Sequence, residues 1–354
     1  MILLLGGTGV IGTYLKDMFL KTDQIVYITS RSVRKDIGNV HYIQGNARDL
    51  VFLKQILKLQ EWECIVDFMS YKTDEFKQRL DLLLKSTKQY IFISTARVYG
   101  NTEVPRRENS PRLLDCSKDL EFLSTDEYSL TKARQEDLLI KSAYNNYTIV
   151  RPCITYGDER LQLGVLEKEE WLYRAMKGRT IIFCNEIARS MTTMTNGYDL
   201  SRLLYKTICN PKTLGEIYHF TSKEHRTWNE IFQIYSSAFY KNTNVELKIK
   251  YVPLESFLKT RSPNLKYQVI YDRICDCIYD TTKEASLCNI ESFITPEEGL
   301  AACLNNFISQ NLSFKSINWK YEAIKDKITK EYTPLSEIKG VKNKTKYIIE
   351  RYLK

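Results

Sequence analysis

Over the first 157 residues, short apolar and β-branched runs alternate with amphipathic stretches of helical length. The runs fall at 2–5, 24–29, 40–44, 64–69, 89–94 and 147–150. Between them, stretches such as 76–85, with Leu80, Leu82, Leu83 and Leu84, have the length and spacing of crossover helices. Regular exchange of strand and helix predicts an α/β domain on a doubly wound parallel sheet. From Asp158 onward the rhythm changes. The pattern predicts a helix over 160–177, a strand over 180–184 and a helix over 198–209. It then predicts a smaller mixed α/β domain from the segments 216–221, 227–240 and 246–252. The expected organisation is a sheet domain over 1–157, rejoined by about 190–212. A second domain comprises 158–189 and 213–310, and 311–354 is a basic C-terminal extension.

Composition narrows the picture without redirecting it. With 43% hydrophobic and 27% charged residues in 354, the chain reads as a globular protein with a sizeable core. Met1-Ile2-Leu3-Leu4-Leu5 carries no preceding basic residue and runs straight into glycines, unlike a secretion signal. No apolar run reaches membrane-spanning length, so the expected location is the cytoplasm. The nine cysteines are scattered, and Cys275 and Cys277 have no second pair at zinc-ligand spacing, so no metal site is predicted. Of the net charge of +9, the last 40 residues hold +6, from eleven basic and five acidic side chains. A charge surplus gathered in a tail reads as a solvated segment, and nucleic acid is not the expected partner.

The first candidate chemistry follows the first strand at once: Gly6-Gly7-Thr8-Gly9-Val10-Ile11-Gly12, then a helical run. Gly6, Gly9 and Gly12 have G-x-x-G-x-x-G spacing at a strand-to-helix turn. There, backbone N–H groups and the helix dipole receive a diphosphate, and glycine permits its close approach. The expected ligand is a dinucleotide on a Rossmann-type sheet. After the second strand stand Ser30 and Arg31 with no acid nearby, which favours NADP over NAD because arginine pairs with a 2′-phosphate.

The second is Tyr128 and Lys132, four apart and therefore on one helical face. Ser124 and Glu127 just before them have capping-box spacing, which predicts a helix start at Ser124. An ammonium one turn from a phenol favours the phenolate, making Tyr128 the expected proton donor or acceptor and Lys132 its tuning partner. Upstream, the strand 91–94 ends at Thr95, whose hydroxyl can donate to the oxygen that Tyr128 protonates.

With the glycine loop, the S-T-x-x-V-Y-G strand end at Ser94-Thr95, Tyr128/Lys132 and Arg151-Pro152-Cys153-Ile154-Thr155-Tyr156-Gly157, the chain resembles an extended short-chain dehydrogenase/reductase of the NAD-dependent epimerase/dehydratase family. The resemblance covers the first half. In the second half it rests on Asp199-Leu200 and the Tyr218–Thr221 strand. It implies a nucleotide-sugar substrate and a homodimer formed through helices before and around Tyr128. It places Asn46 and Ala47 at the adenine, with Asn46 where the family usually has aspartate. Phe68, Met69, Ser70 and Lys72 line the cofactor, with Pro152 and Ile154 beside it. Thr95, Arg97, Tyr156, Arg160 and Arg189 are the expected substrate contacts.

Members that dehydrate sugars carry an Asp-Glu pair after the catalytic threonine, where this chain has Ala96 and Arg97. Elimination is therefore not expected. What remains is reduction of a keto-sugar, favoured by Arg31, or epimerisation by transient oxidation. A reading of another class is a non-catalytic relative that senses dinucleotide or binds RNA, with Trp319-Lys320-Tyr321 and Lys346-Tyr347 as stacking candidates.

Overall fold

The computed structural model describes residues 1–353, and the chain divides into two compact units. The first comprises Met1–Thr155, Thr193–Glu224 and Ile278–Ile294; the second comprises Tyr156–Thr192, His225–Cys277 and the chain from Thr295 onward. The first unit is thus rejoined twice, over longer and later stretches than 190–212.

Its centre is a seven-stranded parallel sheet. In chain order the strands are β1 (Ile2–Leu5), β2 (Val26–Ser30), β3 (Val40–Gln44), β4 (Trp62–Asp67), β5 (Thr87–Ile93), β6 (Tyr147–Pro152) and Ile217–Phe220. Across the sheet the order is Ile217–Phe220, β6, β5, β4, β1, β2, β3, with Ile2 in register with both Val26 and Cys64. All four β1 residues are buried because helices cover both faces. Leu3, Leu5, Ile65 and Phe92 join the core beside α2 (Leu50–Leu57) and α3 (Thr73–Lys85). On the other face, Ile2, Leu4, Val66 and Ile91 meet Leu15 and Phe19 of α1 (Val10–Phe19) and Leu200 and Leu203 of the helix Gly197–Thr207.

The helix expected over 160–177 is reduced to Leu172–Met176. Ahead of it the chain makes two tight turns, closed by Gly157 with Arg160 and by Leu163 with Leu166. Gly164 adopts φ +60° in the second turn, and the Trp171 indole donates to the Leu161 carbonyl at 3.1 Å. Apolar spacing resembled a helix here, but the backbone reverses direction to bury the same side chains.

Residues 311–353 do not form a solvated tail. Trp319 and Ala323 of the helix Trp319–Thr329 pack with Tyr173, Ile338 and Tyr347 in the second unit's core. Arg174, wholly buried, donates to Glu322 at 2.9 Å, Asp326 at 2.8 Å and Glu331 at 3.0 Å. Of the stacking candidates, Trp319 and Tyr347 face inward and are engaged in the core, whereas Tyr321 is half-buried. Among the described residues no helix is long and apolar enough to cross a membrane.

Candidate active site

Because the strands run parallel, the segments that follow them emerge along one edge of the sheet. The chain leaves β1 through Gly6, whose φ of +73° favours glycine. The Gly6 N–H donates to Thr29 Oγ1 at 2.8 Å, and the Thr8 N–H to the Gly6 carbonyl at 2.9 Å. Gly7 is buried, Thr8 is exposed, and Val10 and Ile11 form the first turn of α1. Gly9 and Gly12 do different work. A Cβ on Gly12 would collide with the Gly7 carbonyl, whereas one on Gly9, the helix N-cap, would meet nothing within 4 Å. One glycine lets helix and strand close up; the other keeps clear the space above the helix N-terminus. A dinucleotide's diphosphate fits this cradle, where first-turn N–H groups lack helical acceptors.

Further along the same edge, Ser30 ends β2 buried and Arg31 follows it exposed. After β3, Asn46 is exposed, its side-chain oxygen accepting from the Arg48 N–H at 3.1 Å, while Ala47 is buried in the core. Phe68 and Met69 are half-buried after β4, Ser70 is exposed, and Lys72 is the exposed residue before α3. Met69 lies against Gly6. Pro152 ends β6, and Ile154 is half-buried.

The Tyr128–Ile140 helix starts later than the Ser124–Glu127 pattern predicts. Ser124 instead ends the short helix Leu120–Leu123, and Glu127 is the cap, its carboxylate accepting from the Ser129 N–H at 2.6 Å. Tyr128 is 39% exposed, whereas Lys132, one turn on, is 2% exposed. The Lys132 ammonium donates to the Ile93 carbonyl at 2.8 Å and lies 4.4 Å from the Phe92 ring centre. Burial lowers its pKa to about 8, against the opposing pull of Asp67 and Glu136. Thr95 is buried at the end of β5, with Oγ1 accepting from the Arg97 N–H at 3.2 Å. Arg97 forms an ion pair with Glu127 and places its guanidinium 5.4 Å from the Tyr128 ring centre. A cation therefore stands beside the tyrosine at Arg97, one of the two positions where the resemblance implies an acid pair in dehydratases.

Two buried supports escaped the sequence reading. Asp67 accepts from the Tyr90 hydroxyl at 2.8 Å and the Met69 N–H at 2.9 Å, and burial raises its pKa. Glu136, on the Tyr128 helix, accepts from Ser94 at 2.6 Å and from Arg151 at 2.9 and 2.7 Å. It ties β5, β6 and that helix together beneath Thr95. The available signal was Asp67, a lone acid among the apolar residues 64–69; Glu136, in the polar stretch 134–137, offered none.

The other expected substrate contacts lie in the second unit. Tyr156 is fully buried with its ring against Gly299, so it packs the core and offers a ligand no surface. Arg160 is exposed at a turn. Arg189 is exposed and lines an open cleft of about 440 Å³ with Asn185, Ala188, Thr227, Asn229 and Tyr251.

Residues 2–189 match the model of the NAD dependent epimerase/dehydratase family. The chain is 24% identical to the chloroplast stem-loop binding protein of 41 kDa b of Arabidopsis thaliana, over 67% of this chain and 62% of that protein's length. It is 23% identical to UDP-N-acetyl-alpha-D-glucosaminuronate decarboxylase of Bacillus cytotoxicus, over 86% of this chain and 97% of that one. Its fold resembles dTDP-glucose 4,6-dehydratase of Bacillus anthracis, solved in complex with NAD, with a TM-score of 0.66 and 17% identity; 88% of this chain and 97% of that one are covered. With its glycine loop, parallel sheet and family match extending over more than half its length, the chain belongs to the NAD-dependent epimerase/dehydratase family.

Proposed function

We propose that the protein is an enzyme acting on a nucleotide-activated sugar with a nicotinamide dinucleotide held over Gly6–Gly12. In this reading a sugar hydroxyl is transiently oxidised and the hydride returned, as in epimerisation. The observation that carries it is Lys132. An ammonium buried on the Ile93 carbonyl, one turn below a half-exposed tyrosine, opposes folding by its desolvation. Its position is explained by work on a ligand at the sheet edge.

The nicotinamide, when bound, supplies the hydride acceptor and donor. Tyr128 takes the proton from the sugar hydroxyl and gives it back, Thr95 holds the same oxygen, and Lys132 orients the nicotinamide ribose. Arg97, paired with Glu127, holds its guanidinium 5.4 Å from the Tyr128 ring centre and helps fix the ring's place. Ala96 has no proton to exchange, and Glu127 is committed to Arg97 and the helix cap. The arrangement thus supports one proton and one hydride, without the second acid and base that elimination requires. Near full-length similarity to a relative named as a nucleotide-sugar decarboxylase supports the substrate class.

Arg31 favours a second reading, reduction of a keto-sugar by exchangeable NADPH. The test is incubation with 4-hydroxy and 4-keto nucleotide sugars, following product stereochemistry and reduced-nicotinamide absorbance together. Inversion without net NADPH loss is expected. NADPH consumed in proportion to ketone would establish the reductase. Clear dinucleotide binding with no reaction on any sugar would overturn both and leave the non-catalytic alternative.

A further inference from the structure

The first unit holds a second group of ionisable side chains at its outer strand. His219 lies on the strand Ile217–Phe220, Glu284 on the short helix Thr282–Ala285, and Glu108 in the loop between β5 and the Tyr128 helix. His219 and Glu284 are fully buried, and the Glu108 side chain is 16% exposed. His219 Nε2 lies 3.6 Å from Glu284 Oε2, 4.0 Å from Glu108 Oε1 and 2.6 Å from the Asp280 carbonyl oxygen. Thr221 donates to the other Glu284 oxygen at 2.9 Å. Glu284 Oε2 and Glu108 Oε1 are buried without a hydrogen-bond donor.

We infer that Glu108, His219 and Glu284 form a site for a divalent first-row cation such as Zn2+, clipping the loop and the Ile278–Ile294 segment onto the sheet.

Three observations carry this inference. The three side-chain ligand atoms lie within 4.8 Å of one another. An ion roughly 2.0–2.2 Å from nitrogen and oxygen ligands accommodates neighbours at the two His219–glutamate spacings with small adjustments. The neighbouring cations are committed elsewhere. Arg151 is paired with Glu136 at 2.7 Å, and Arg107 with the Asp280 carboxylate at 3.2 Å. Neither guanidinium reaches the two buried carboxylate oxygens, Glu284 Oε2 and Glu108 Oε1, which are left without a hydrogen-bond partner. Finally, His219 has the outer support a ligand needs, because its Nδ1 lies 3.1 Å from the Tyr99 hydroxyl. With an ion on Nε2, Nδ1–H donates to the Tyr99 oxygen and the tautomer is set. Without one, Nε2–H donates to the Asp280 carbonyl. Metal binding therefore moves the ring proton from Nε2 to Nδ1. These ligands are far apart in sequence, which is why cysteine spacing gave no hint of them.

The full-length protein, stripped with chelator, is titrated with Zn2+ and followed by calorimetry, elemental analysis and melting. One tight equivalent and a rise in melting temperature are expected. With only three histidines in the chain, 15N-histidine spectra resolve the tautomer change, and His219→Gln identifies the resonance. Glu284→Gln should lower affinity at least 100-fold; if that variant folds poorly, Glu108→Gln, near the surface, serves the same purpose. No tight equivalent in the parent, or equal uptake in the variants through the cysteines, would overturn the site and leave the cluster a proton network.

Discussion

In the proposed reading, Lys132 is where stability and function pull apart. Its pKa falls from an ordinary 10.5 to about 8 because burial penalises the ammonium. The unfolded chain keeps that proton up to about pH 10.5, so this group's contribution to stability rises with pH between the two values. Below about 8 both states are charged and the desolvation cost is present in full. Turnover that needs the ammonium should therefore fall as pH rises through about 8, while the melting temperature does not fall on this account. Lys132→Met should melt no lower than the parent at pH 7 and lose activity about 100-fold or more, measured by calorimetry and turnover. Tyr128→Phe should keep dinucleotide affinity within about twofold and reduce turnover about 100-fold or more; unchanged turnover would remove Tyr128 from the chemistry. The spacing of Tyr128 and Lys132 was legible in the sequence. That one is exposed and the other buried against Ile93 was not, because helical spacing gives a shared face and not its depth.

At the scale of elements, the turn from β1 into α1 separates packing from binding. Gly12→Ala forces a methyl group into the Gly7 carbonyl and should destabilise the protein by about 1–3 kcal/mol. Gly9→Ala enters open space, so it should cost no more than about 1 kcal/mol, as a change of helix N-cap, and weaken dinucleotide binding at least about tenfold by crowding the diphosphate. Equal loss of stability in both variants would refute this division. In the second unit, Arg174→Met leaves Glu322 and Asp326 buried without their cation and should cost about 3–5 kcal/mol. Limited proteolysis after Gln310 reports whether the last segment comes loose. Strong repeating patterns made the strands and crossover helices readable. Local spacing failed at 160–177, where a turn and a helix bury similar residues, and at Ser124, where the preceding short helix claims the apparent cap.

For the whole molecule, the open question of cofactor lies at the end of β2, where Arg31 is exposed beyond buried Ser30. If a 2′-phosphate is held there, Arg31→Ala should weaken NADPH about tenfold or more and NADH little, by calorimetry; tight NADH with no NADPH preference in the parent would end that reading. The strand-and-helix alternation, the glycine turn and the grouping of Thr95, Tyr128 and Lys132 were readable from the chain alone. Each follows from short-range periodicity or from residue types a few positions apart. Tertiary structure alone decided the double return of the chain to the first unit and the packing of the basic segment around Arg174. It also decided the pairing of Arg97 with Glu127 over Tyr128 and the meeting of Glu108, His219 and Glu284. The physical reason is that burial and charge pairing depend on which distant segments share a volume. Residue spacing along the chain does not encode that directly.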